Sequence, residues 1–141
     1  MKKQLALVVV ALSVGLLAAA DKPEPDAKKL EGTWKIVSAK LAGQAANDIA
    51  GDQLIFKSGK LTYKAKDGDH VSTFKLTPAA KPAQIDLVPE DGDTAGKTLK
   101  GIYALEKDGL KLCINLDPSG DRPAKFDSAD GSRVVLATLK R

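Results

Sequence analysis

His70 is the only histidine of the chain and Cys113 the only cysteine, so nucleophilic or metal chemistry would have to be built around one imidazole and one thiol. A zinc site made from histidine and cysteine ligands has too little material here. Ser72 and several aspartates supply, with His70, the residue types of a hydrolytic triad. None of the candidate nucleophiles sits in a strand-to-helix elbow, and residue types alone do not make a triad. His70 reads as a surface or edge-strand residue. Cys113 lies in Leu110-Lys111-Leu112-Cys113-Ile114, a strand-like setting in which a free thiol is buried and inert.

Two glycine-bearing stretches invite other chemistry. Gly92 to Thr98 (GDTAGKT) approaches a phosphate-binding loop, but the first glycine of that motif would fall at position 91, which is Asp91. A strand-like run follows where the motif needs a helix N-terminus, so the stretch reads as a hairpin loop. Asp67-Gly68-Asp69 and Glu90-Asp91-Gly92-Asp93 are acidic enough to suggest calcium. Neither has the alternating oxygen ligands and closing glutamate that a six- to eight-coordinate site requires, so both read as solvated turns. No metal and no cofactor are expected. An enzyme, hydrolase-like and centred on a cleft near His70 or Cys113, is the low-ranking alternative.

The elements that would position any site follow from composition and pattern. With 141 residues, 43% of them hydrophobic and 28% charged, the chain suits one globular domain. Residues 1–20 read as a signal peptide: Lys2 and Lys3, an apolar run from Leu5 to Leu17, then Ala18-Ala19-Ala20 before Asp21. The run is shorter than the ~20 residues of a membrane span, which favours cleavage over retention as an anchor. Losing Lys2 and Lys3 leaves 20 basic against 18 acidic residues, a net of +2, too balanced to argue for nucleic acid. The expected location is secreted or periplasmic. A single cysteine allows no internal disulfide there. Residues 21–29 (DKPEPDAKK) read as a disordered leader.

The domain, residues 30–141, shows strand-like runs at intervals of about ten residues and no convincing helical period. The runs are Thr33 to Leu41, Gln53 to Phe56, Lys60 to Lys64, Val71 to Leu76, Gln84 to Val88, Leu99 to Leu105, Leu110 to Asn115 and Arg133 to Leu139, with a short extended piece at Pro123 to Phe126. Ala42 to Gly51 reads as a loop or at most one helical turn. Turns such as Lys57-Ser58-Gly59 and Lys107-Asp108-Gly109 carry the residues tight hairpins need. The predicted fold is all-β, an eight-stranded (eight to nine) antiparallel up-and-down barrel, closed because closure removes exposed edges. Period-two alternation turns Leu54 and Phe56, Leu61 and Tyr63, Phe74 and Leu76, Ile85 and Leu87, Tyr103 and Leu105, and Leu112 and Ile114 inward. Such an interior is either filled by its side chains or leaves room for one small apolar ligand.

A resemblance sharpens the fold. Leu30-Glu31-Gly32-Thr33-Trp34-Lys35-Ile36-Val37, Ile85-Asp86-Leu87, Gly101-Ile102-Tyr103-Ala104-Leu105, Leu110-Lys111-Leu112-Cys113, Arg122-Pro123-Ala124-Lys125-Phe126 and Leu139-Lys140-Arg141 occur in this order. Together they resemble a family of small, often secreted lipocalin-like domains of planctomycete-type bacteria, a family with no established activity to carry over. The resemblance covers residues 30–141. It implies a lipocalin-like barrel in which Trp34, after Gly32, plugs one end beneath a late arginine. Arg141 is preferred over Arg122 because it ends the strand that closes the barrel. The helix or turn that plugs lipocalin barrels is not evident in the sequence.

The functional expectation is an exported, monomeric, non-enzymatic binding protein carrying a small apolar or amphipathic ligand, which enters opposite Trp34. Phe56, Tyr63, Phe74, Leu87 and Tyr103 are the expected lining, with the tyrosine hydroxyls fixing orientation. The alternative is a cell-envelope interaction module, a filled barrel that contacts protein or polysaccharide through its loops.

Overall fold

In the computed structural model, residues 26–141 are described, so the signal-peptide reading of residues 1–20 and most of the leader lie outside the described residues. A five-residue helix, α1 (Asp26–Leu30), is followed by β1 (Gly32–Leu41), β2 (Gln44–Ala45), a 3-10 turn (Asn47–Ile49), β3 (Gln53–Lys57), β4 (Lys60–Ala65), β5 (Gly68–Thr77), β6 (Gln84–Pro89), β7 (Leu99–Leu105), β8 (Gly109–Asn115) and β9 (Val134–Lys140). Each strand from β3 to β8 pairs antiparallel with the next. β1 pairs with both β3 and β9, closing an eight-stranded up-and-down barrel of lipocalin-like form. The two-residue β2 is a ninth strand, hung on the end of β1 through Lys40↔Ala45 and Leu41↔Gln44.

Closure depends on how β1 divides itself between two partners. Its first half pairs with β3 (Trp34↔Leu54), and its second half runs with β9 (Ala39↔Ala137). The β9 register shifts between Ile36 and Ser38, leaving Val37 as an extra residue that points to solvent, 51% exposed. An inserted residue bends a strand and changes the phase of its faces. Trp34 and Ile36 are therefore buried at even positions, and Ala39 at an odd one. The simple alternation expected over Thr33 to Leu41 is corrected accordingly.

The turns and loops fall at two ends. The β3–β4, β5–β6 and β7–β8 connections share one end with α1. The β1–β3, β4–β5, β6–β7 and β8–β9 connections share the other. The β8–β9 loop, 116–133, runs over the outer wall of the barrel. Ile102 and Cys113 are paired across β7 and β8 and point outward, yet are only 1% and 0% exposed. The single Cys113 thiol proton is offered to the Asp127 carbonyl (3.3 Å), with the Lys125 carbonyl also near the sulfur (3.5 Å), so this loop is what buries it. Pro123 to Phe126, expected to be extended, forms no strand because it belongs to this cover rather than to the sheet.

Residues 26–29 also depart from the expected leader, since they form α1. One helical turn is too short to display a 3.6-residue pattern, and its order comes from tertiary contacts rather than propensity.

Candidate functional site

The interior is divided. Large side chains crowd the end that carries α1. Trp34, Phe56 and Tyr103 are among the largest fully buried residues, with Leu30, Leu110 and Leu139 packed beside them. Phe74 meets Phe56 edge-on, with centroids 5.3 Å apart at 85°, a favourable quadrupolar arrangement.

This closed end is tied by polar contacts. The Trp34 indole N–H donates to the Leu30 carbonyl at 2.8 Å. The Arg141 guanidinium carbon lies 4.2 Å over the Trp34 ring centroid. Arg141 also donates through Nη1 to the Glu31 carbonyl at 3.1 Å and through Nη2 to the Lys29 carbonyl. These bonds satisfy carbonyls that the end of so short a helix would leave unpaired. The Tyr103 hydroxyl donates to Asp26 Oδ2 at 2.6 Å, fixing the first turn of α1. Burial, then this contact with a carboxylate, pushes the Tyr103 phenol above its ordinary pKa. Gly32 adopts φ +123°, and a Cβ there would stand 3.2 Å from Arg141 Nη1. The helical plug that the sequence did not reveal is thus present, and Arg141 stands over Trp34.

Arg122 is elsewhere. It lies on the outer wall, donating to the carbonyls of the paired Ile85 (3.3 Å) and Gly101 (2.9 Å). Its Nη1 stands 2.8 Å from Asp86 Oδ1. With its hydrogens aimed at the carbonyls, that approach is a charge contact and not an aligned hydrogen bond. Its role is to moor the 116–133 loop against β6 and β7.

The other half of the barrel is hollow. A cavity of about 520 Å³ occupies it, within the ~300–1,000 Å³ of small-molecule sites. Its walls are aliphatic: Ile36, Leu54, Leu61, Leu87, Leu99, Leu112, Ile114 and Ala137. Leu41, Ile49, Leu116 and Val135 surround the mouth, and Asp91, Gly92 and Thr94 of the β6–β7 loop join its lining. The hollow arises because Trp34, Phe56, Phe74 and Tyr103 fill the closed end, leaving mainly Leu, Ile, Val and Ala, with Tyr63, to line the other half. Of the expected lining residues, Tyr63 and Leu87 line the cavity. Phe56, Phe74 and Tyr103 do not, since they belong to the packed half or the plug.

Polar groups collect at the mouth. The Tyr63 hydroxyl donates to Asp52 Oδ2 at 2.7 Å, and the Lys66 ammonium reaches Asp52 Oδ1 at 3.1 Å and the Asp48 carbonyl at 2.5 Å. The Tyr63 bond, helped by Lys66, holds the Asp52 carboxyl below its ordinary range. Burial, and then Asp52, pushes the Tyr63 phenol up. His70 Nε2 is 3.0 Å from Asp67 Oδ1 and Nδ1 is 3.7 Å from Asp91 Oδ2. Asp67, with Asp91 adding, raises the His70 pKa.

This geometry bears on the chemistries weighed above. Ser72 and His70 both border the cavity, but the two ring nitrogens face carboxylates, and no serine–histidine hydrogen bond occurs among the described residues. Burial pushes the Cys113 thiol up, away from nucleophilic thiolate character. Among the described residues no group of three or more His, Cys, Asp or Glu side chains is placed to hold a metal, and no helix is long and apolar enough to cross a membrane.

No protein-family model, curated protein or solved structure matches the chain.

Proposed function

We propose that this is an exported, lipocalin-like, non-enzymatic binding protein, working as a monomer, that carries one small apolar or amphipathic molecule in the open half of its barrel. The observation that carries the reading is the aliphatic cavity of about 520 Å³ at the end opposite Trp34. Filling such a space with hydrocarbon removes apolar surface from water, worth about 0.8 kcal/mol for each buried CH₂. The alternative of an envelope module with a filled barrel needs a solid interior, and the hollow half counts against it. Export rests on the character of residues 1–20, and a place in the planctomycete-type family of secreted lipocalin-like domains rests on the ordered sequence blocks.

The test is native mass spectrometry of protein purified from its own cells, followed by solvent extraction. A bound small molecule, recovered in the barrel at about one per chain, is expected. An empty protein that also takes up no aliphatic probe in solution would overturn the carrier reading.

A further inference from the structure

The polar groups at the mouth are not neutral in what they offer a ligand. The Tyr63 hydroxyl spends its hydrogen on Asp52, so toward the cavity it has only lone pairs to give. The Lys66 ammonium is engaged by Asp52 and the Asp48 carbonyl, and the His70 ring nitrogens face Asp67 and Asp91. The carboxylates of Asp52, Asp67 and Asp91 thus face two basic groups, Lys66 and His70, and Asp48, whose carbonyl accepts from Lys66, adds a fourth negative charge near Tyr63. The local balance is −2 with the imidazole protonated and −3 with it neutral. Neighbouring charges do not reverse it: Lys64 pairs with Asp69 and Lys60 with Glu90, while Asp93 and Lys97 of the β6–β7 loop offset each other.

A ligand carboxylate at this mouth would find acceptors and negative charge, and the donors that face it, the Ser72 and Thr94 hydroxyls and the backbone N–H groups of Gly92 and Thr94, are neutral and do not offset that charge. An ammonium or hydroxyl head would find acceptors already in place. Resting on the carrier reading above, we infer that the ligand is a single-chain aliphatic amphiphile with a hydrogen-donating, preferably cationic amine head. Its tail lies between Leu54, Leu87 and Leu112, and its head lies at Tyr63 and Asp91.

The experiment compares dodecylamine, dodecanol and dodecanoate, below their micelle concentrations, by calorimetric titration of the purified protein at neutral pH. All three share one tail. A charge-assisted hydrogen bond is worth enough to separate the heads, so dodecylamine is expected to bind about tenfold or more tighter than dodecanoate, with dodecanol between. Asp91→Asn, at an exposed loop position, should narrow the amine-to-carboxylate ratio. Dodecanoate binding as tightly as the amine, or a ratio unmoved by Asp91→Asn, would overturn the inference and leave the carrier reading intact. Failure of all three to bind would overturn both.

Discussion

Replacing Arg141 with alanine tests how the closed end is held. The guanidinium stacks on Trp34 at 4.2 Å and donates to the carbonyls of Glu31 and Lys29. Cation–π contact at an exposed site is worth about 0.5–1 kcal/mol. Each hydrogen bond adds about 1 kcal/mol net at most, less here because Arg141, Lys29 and Glu31 are all exposed and water replaces the lost donor. The expected cost is therefore about 1–2 kcal/mol, against about 3–5 kcal/mol for Trp34→Ala, which empties a fully buried site. Arg141→Lys keeps the charge but not the planar fork that spans ring and carbonyls, so it should recover less than half of the loss. Urea unfolding reads this directly, because Trp34 is the only tryptophan and its fluorescence reports the closed end. If Arg141→Ala lies within about 0.5 kcal/mol of the parent, the scatter of neutral surface changes, or Arg141→Lys restores full stability, Arg141 does not hold the plug.

Val135→Phe places a ring in the hollow half and should abolish uptake of aliphatic probes by titration, while urea stability stays at or above that of the parent because space is filled rather than emptied. Cys113 should resist thiol reagents in the native protein. Arg122→Ala, which unmoors the covering loop, should speed its labelling by about ten- to a hundredfold as local opening becomes easier. The His70 pKa is raised in the folded state by Asp67 and Asp91. Its contribution to stability is therefore fully present below the ordinary value of about 6.5 and lost as pH rises through the higher folded value. The difference in urea midpoint between the parent and His70→Gln should be largest near pH 5.5 and shrink as pH rises above about 6.5.

The strands were legible because their signals are local: alternation, and glycine or aspartate turns, repeated from Gln53 to Asn115. The pole was legible in Gly32-Thr33-Trp34 at the start of the first strand, and Arg141 was preferred over Arg122 because it ends the strand that closes the barrel. What stayed hidden depends on distant partners. The five residues of α1 are held by the nearby Trp34 and by Arg141 and Tyr103, the last two more than seventy residues away from their partners. The phase change at Val37 arises from β1 serving two partner strands at once. The division of the interior escaped for a related reason. Period-two reading says that Phe56, Tyr63, Phe74 and Tyr103 face inward, but not how far along the barrel axis each one sits. Registers such as Phe56↔Leu61 and Tyr103↔Leu112 supply that height, and only then do the packed and hollow halves separate.

Asp26 and Arg141 meet at the same pole, bound through the short helix between them and Trp34. The chain therefore enters and leaves the barrel at its sealed base, and neither strand end that borders the mouth is a terminus. A tether joined directly at Asp26 would hold the molecule by its base, like a cup by its stem. An immobilising tag after Arg141 would leave the opening unobstructed, whereas one inserted in the β6–β7 loop would stand across it.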